Sequence, residues 1–286
     1  MRLKKAIEEY LEYLESKERS DETIRGYGLT LKEVMFFLEN RQNCAVYLDE
    51  IMTKDLESYL NHLKDRGSQA VSRNRARSVI RSFYVYLQKR ELIRQNVSLN
   101  LESAQVRQKE RDYLTESEIR ELSNTIDHPI IKAAVITLAN TGLRINELCK
   151  LTLSDVDLEI KLIKVRQGKG NKDRTIPINE KLNIVLMDYL LKDRPFTNTD
   201  NFFATTVSGR LSRQTVNHYL KRTVDDLGWH KHVTAHILRH SFATNLLCND
   251  VSLPVIQKLM GHSDLRVTSR YLHQDLKKLH EAVNRL

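Results

Sequence analysis

The chain has 286 residues, 41% of them hydrophobic and 29% charged, and a formal net charge of +9. That length supports two domains with cores of their own, and no apolar run approaches the roughly 20 residues that a bilayer-spanning helix needs. The three cysteines, an odd number without CxxC spacing, argue against a disulfide framework or a zinc ribbon, and the basic excess favours a polyanionic partner.

The opening MRLKKAIEEYLEYLESKE alternates apolar and charged positions as a helix does, with no targeting segment, so a cytoplasmic protein, mature from its first residue, is expected. A helix over 3–17 presents Leu3, Ile7, Tyr10, Leu11 and Leu14 on one side. A second starts after Ser20 with an acidic first turn and carries Gly26 and Gly28 inside its pattern, which predicts a kink. A third runs from Thr53 to Gly67. The fourth, VSRNRARSVIRSFYVYLQKRELI, buries Ala76, Val79, Ile80, Phe83, Tyr84 and Leu87, while Arg73, Arg77 and Arg81 recur every four residues along one flank. Such a flank suits a DNA groove or backbone, and equally a solvated basic face.

Residues 1–103 therefore read as a helical domain, and 104–113 as a polar, basic linker. Residues 114–286 read as a second domain that opens on a capping box, Thr115 with Glu118 three residues on. Here the expected order is a helix, an apolar helix (IIKAAVITLAN), a small antiparallel sheet, then helices to the end. The fold class is thus mainly α with a small antiparallel β-sheet. Gly168-Lys169-Gly170-Asn171 joins two short β-branched runs as a hairpin signal, with Lys169 at the tip. A helix near Ser212 brings Arg210 and Arg213 within reach of phosphates. Pro254 suits a first helical turn, and Gly261 suits a left-handed C-cap. Ser263 can cap a following helix that carries Tyr271, and a last helix over 275–286 shows an apolar stripe of Leu276, Leu279, Val283 and Leu286.

The stretch from Val233 to Leu272 holds His236, Arg239, His240, His262 and Tyr271 in an order that packing does not explain. In a helix His236, Arg239 and His240 stand at i, i+3 and i+4 on one face. Attack on a phosphodiester spreads negative charge over the equatorial oxygens, and a guanidinium fork answers that charge without ever losing its own. A tyrosine is a candidate nucleophile once a base or a positive field helps it ionise. His236 is a candidate base, Arg144 in TGLRINEL a candidate second arginine, and Lys169 a flexible ammonium able to reach a leaving oxygen.

TGLRINEL, QGKGNKDR, HILRH, MGHSD and Tyr271, in this order and spacing, resemble the motif set of the tyrosine recombinases, the phage-integrase and Xer family. The similarity covers the whole second half and, more loosely, the first. It implies an N-terminal SAM-like domain that clamps DNA and an α+β catalytic domain. Arg144 and Arg239 would bind the scissile phosphate, and His236 would be the acid/base residue. Lys169 would protonate the departing 5′ oxygen, His262 would hydrogen-bond the phosphate, and Tyr271 would form a 3′-phosphotyrosyl link. Glu147 and His240 match positions that support these groups. Ala235 stands where the family commonly has proline, which affects a helix entry and leaves the chemistry intact.

The expected activity is site-specific recombination of duplex DNA by a homotetramer on two sites, without metal or cofactor. The terminal helix would dock on its own domain or link protomers, with room for accessory proteins. In layout the chain looks more like an Xer-type or cointegrate-resolving enzyme than a large phage integrase. The alternatives are type IB topoisomerase-like relaxation and a non-catalytic DNA-binding accessory protein. Two other chemistries fail on specifics: HILRH lacks the glutamate of the zinc motif HExxH, and QGKGNKDR is not a GxxxxGK[ST] nucleotide loop.

Overall fold

In a computed structural model, which describes residues 1–106, 112–166 and 173–261, the chain divides into two units, Met1–Lys109 and Glu110–Leu286. The first is built on four helices, α1 (Leu3–Ser16), α2 (Asp21–Gln42), α3 (Thr53–Asp65) and α4 (Ala70–Lys89). Each turns one apolar stripe inward: Leu3, Ile7, Tyr10 and Leu14 from α1, Leu31, Val34 and Leu38 from α2, Leu56 and Tyr59 from α3, and Ala76 to Leu87 from α4. Ser20 caps α2 by accepting from the Thr23 N–H (3.4 Å), and Asp21 and Glu22 lie where the helix dipole favours them.

α2 runs without a break through Gly26 and Gly28. Their missing side chains serve close packing. A Cβ at Gly28 would sit 3.3 Å from Leu11 Cδ1, and one at Gly26 would sit 3.0 Å from Arg75 Nη2. The unit ends on a fastened exit. Asn74 on α4 donates to the Ala104 carbonyl and accepts from the Ala104 N–H, both at 2.8 Å, and Arg77 Nε donates to the Leu101 carbonyl at 2.6 Å.

The second unit begins at the capping box: the Glu118 N–H donates to Thr115 Oγ1 (3.3 Å) and the Thr115 N–H donates to Glu118 Oε2 (2.9 Å), starting α5 (Glu116–Thr125). α6 (Pro129–Thr141) is apolar on nearly every side and forms the centre of this core, packed by Leu182, Leu186, Leu220 and Leu238 from later helices. α7 (Ile145–Lys150) follows after a tight turn. Strands β1 (Val156–Asp157), β2 (Leu162–Val165) and β3 (Arg174–Pro177) make an antiparallel sheet in that order. Its buried face carries the cross-strand pair Ile163 and Ile176.

α8 (Glu180–Asp188) passes into a π-helical turn at Tyr189–Asp193 and is followed by α9 (Arg213–Asp226), α10 (Ala235–Cys248) and α11 (Leu253–Met260). Pro254 lies in the first turn of α11 and Gly261 (φ +61°) ends it, as expected. The mainly helical class with one small antiparallel sheet is therefore what the chain adopts. Among the described residues no helix is long and apolar enough to cross a membrane.

Candidate active site

The site is assembled around two helix ends. α6 stops at Gly142, whose left-handed backbone (φ +61°) turns the chain so that Arg144 becomes the residue before α7. A Cβ at Gly142 would come within 2.4 Å of the Phe242 ring of α10, so both the conformation and the packing require glycine there. The second end is that of α11, where a helix leaves its last carbonyls without intrahelical partners.

Three arginines from three separate elements take those carbonyls in succession. Arg174 Nε on β3 donates to the Leu259 carbonyl at 3.0 Å. Arg239 Nη2 on α10 donates to the Met260 carbonyl at 2.5 Å, and its Nη1 donates to the Gly142 carbonyl. Arg144 Nη2 donates to the Gly261 carbonyl at 3.4 Å. Cations at a helix C-terminus are favoured by the dipole, each by about 0.3–1 kcal/mol. Arg144 and Arg239, read from motifs nearly a hundred residues apart, therefore meet at one helix end.

Glu147 binds two of the three arginines. Its Oε1 accepts from Arg144 Nη1 (2.7 Å) and Arg174 Nη1 (3.0 Å), and its Oε2 accepts from Arg174 Nη2 (2.7 Å) and the Arg144 backbone N–H (2.8 Å). The Glu147 side chain is 9% exposed, that of Arg174 10%, and that of Arg144 28%. Burial alone would raise the Glu147 pKa. The Arg174 hydrogen bonds, the Arg144 N–H, the Arg174 charge and the Arg144 side-chain hydrogen bond outweigh it and bring the carboxyl down to about 2. A carboxylate held this firmly orients the guanidinium it touches.

On α10, the spacing of HILRH divides by depth. Arg239 and His240 are buried, at 4% and 5% exposure, while His236 in the first turn faces solvent. Thr234 caps this helix by accepting from the Ile237 N–H (3.3 Å), and the Ala235 N–H donates to Asn217 Oδ1 on α9 (3.0 Å). Arg210 and Arg213 are exposed at the start of α9, whereas Arg73, Arg77 and Arg81 are half-buried along α4. Lys169, His262, Tyr271 and the helix expected over 275–286 lie outside the described residues. Sequence reasoning missed Arg174, whose one local signal is a basic residue closing QGKGNKDR before a β-branched run.

A buried, hydrogen-bonded pair of arginines with one partly open guanidinium is an anion-binding arrangement. Comparison with known proteins gives it a context. The phage integrase family model matches residues 112–278, and the model of its N-terminal SAM-like domain matches residues 7–91. The chain is 33% identical over 279 residues to tyrosine recombinase XerD of Pasteurella multocida, covering 93% of this chain and 92% of that protein. Its fold resembles the Tn1549 transposon integrase solved with circular intermediate DNA (TM-score 0.81, 19% identity, 100% and 99% of the two chains). It also resembles lambda integrase solved as a tetramer bound to a Holliday junction (TM-score 0.76, 23% identity, 92% and 78%).

The chain belongs to the phage integrase family of tyrosine recombinases. It is accordingly a DNA-binding enzyme of site-specific recombination, and neither a swivelling topoisomerase activity nor a non-catalytic accessory role is favoured.

Proposed function

We propose that this recombinase cuts and rejoins duplex DNA through a 3′-phosphotyrosyl intermediate formed by Tyr271. Arg144 and Arg239 receive the non-bridging oxygens of the scissile phosphate, with Glu147 and His240 supporting them. The Tyr271 phenol gives its proton to His236, its oxygen bonds to phosphorus, and the bond from phosphorus to the 5′ oxygen breaks. Lys169 supplies the proton that makes the leaving group a 5′ hydroxyl, and His262 hydrogen-bonds the phosphate. A 5′ hydroxyl from the partner strand then runs the same steps backwards. One phosphodiester is exchanged for another, so no nucleotide hydrolysis is needed. The convergence of Arg144 and Arg239 on the end of α11, immediately before His262, is the observation that carries this reading.

By analogy with the lambda integrase tetramer on a Holliday junction, the working form would be a homotetramer on two specific sites, with strands exchanged in two rounds. The unit over residues 1–103 would clamp DNA, residues 104–113 would link it to the catalytic domain 114–286, and the helix over 275–286 would connect protomers. Arg73, Arg77, Arg81, Arg210 and Arg213 would contact the phosphate backbone. The Xer relatives fit a dimer- or cointegrate-resolving enzyme acting on the nucleoid in the cytoplasm, or one that moves a mobile element, with room for accessory proteins.

Covalent trapping on fragmented genomic DNA, followed by sequencing of the protein-linked ends, tests this. Wild-type protein should capture one sequence class through a 3′ phosphate, and Tyr271→Phe should bind the same fragments without capture. Capture by Tyr271→Phe at the wild-type level would remove Tyr271 as the nucleophile.

A further inference from the structure

Of the three arginines on the end of α11, Arg174 is the one to which the reading above gives no task, and its bonds are arranged differently. Arg144 offers a partly open guanidinium, but that of Arg174 is turned inward: Nη1 and Nη2 both meet the Glu147 carboxylate, and Nε meets the Leu259 carbonyl. Glu147 in turn holds Arg144 by the guanidinium and by the backbone N–H. The end of α11 is shaped around the same side chain. A Cβ at Gly261 would sit 2.8 Å from Arg174 Cδ and 3.0 Å from Nη1.

We propose that Arg174 is a positioning residue for the recombination chemistry, a latch that fixes Arg144 in register with the last turn of α11. Three parts of the site meet at it: β3, which follows Lys169 in the sequence, the carboxylate that orients Arg144, and the helix end from which the chain runs on to His262 and Tyr271. A lysine could neutralise Glu147 but cannot span both carboxylate oxygens and the Leu259 carbonyl from one rigid plane. Without the fork, Glu147 is free to rotate and Arg144 to shift relative to α11. A displacement of about 1 Å at a reacting centre is enough to cost on the order of a hundredfold in rate. Arg174 acts through Glu147, its guanidinium being committed to that carboxylate and to the Leu259 carbonyl.

The inference rests on Arg144 being a phosphate ligand, and its test separates the two. A nicked suicide duplex carrying the sequence recovered by trapping is incubated with the full chain, and single-turnover formation of the covalent adduct is followed against protein concentration. Arg174→Lys should lower the saturating rate roughly 10- to 100-fold, measured well below its own thermal midpoint, which falls with the lost bonds to Glu147 and Leu259, while leaving the half-saturating concentration near that of the wild type. Combining it with Glu147→Gln should add little to the slower single variant, because both break one linkage. Wild-type rates for Arg174→Lys, losses that only follow reduced stability or binding, or rates that multiply in the double variant would each overturn the latch. Arg174→Ala serves as a second variant where it folds, and a wild-type rate for it overturns the latch equally. Absence of adduct with the wild-type chain itself would instead count against the Tyr271 reading.

Discussion

Glu147 is pulled in opposite directions by its surroundings: burial favours the protonated acid, and two arginines favour the carboxylate. The arginines prevail, lowering its pKa from 4.5 to about 2. The stabilisation from this group is therefore fully present above about pH 4.5 and is lost as the pH falls toward about 2, with a span on the order of 3 kcal/mol. Urea unfolding of the wild type should lose stability more steeply from about pH 5 to about pH 3 than that of Glu147→Gln. At neutral pH the variant should already be less stable by about 3 kcal/mol or more, since it leaves two arginines facing a neutral amide. Equal pH dependence in the two proteins would show that Glu147 gains nothing from its ionic partners. At this scale the motif order was informative and the depth was not. Arg144 and Arg239 stood out as candidates because each sits in a short motif, and Glu147 became one only through the family resemblance. Arg174 showed only as the basic residue closing QGKGNKDR, and its contacts were not readable, since its partners Glu147 and Leu259 lie 27 and 85 residues away and no local period connects them.

The helices were legible wherever their punctuation is local. Ser20, Thr115, Ser212 and Gly261 all do at helix ends what their chemistry suggests. The π-helical turn after α8 was not readable, as NEKLNIVLMDYLLKD contains no breaker. It coincides with Tyr189, whose ring packs on Phe203 and whose hydroxyl donates to the Phe202 carbonyl (3.0 Å). Ala235 shows the same division between local and distant signals. The family resemblance supplies the proline that this alanine replaces, but the consequence depends on α9. An alanine keeps the N–H that proline lacks, and Asn217 accepts it at 3.0 Å, satisfying one of the first-turn donors of the helix that carries His236. Asn217→Ala should cost about 0.5–1.5 kcal/mol. In an Ala235→Pro background, where a first-turn proline is tolerated but gives no donor, the same change should cost only the Asn217 Nδ2 bond to the Arg213 carbonyl (3.0 Å), which is lost in both backgrounds. A coupling energy near 1 kcal/mol by urea unfolding is expected, and strict additivity would show that Asn217 stabilises α10 by some other route.

At the scale of the whole molecule the net charge of +9 pointed to a polyanion, and the family confirms DNA. Where the charge is placed decides what each arginine does. Arg73, Arg77 and Arg81 form a regular flank in the sequence, yet Arg77 commits its Nε to the Leu101 carbonyl and so helps fasten the end of the first unit. Periodicity reports a direction around a helix and cannot distinguish a side chain turned to a partner strand from one turned to its own backbone. Arg210, exposed just ahead of α9, has the simpler placement for a phosphate contact. The two substitutions Arg77→Gln and Arg210→Gln should therefore differ. Each neutralised phosphate contact releases condensed counterions, so removing one should reduce the slope of log affinity against log salt by about 0.9. Arg210→Gln should show that reduction with unchanged unfolding behaviour. Arg77→Gln should also lower the stability of the first unit by about 0.5–1.5 kcal/mol through the lost bond to Leu101. Binding to a duplex carrying the trapped sequence, titrated across a series of salt concentrations alongside urea unfolding, checks both. A salt slope unaltered by Arg210→Gln removes that side chain from the interface, and full stability in Arg77→Gln means that the Leu101 carbonyl is held without it.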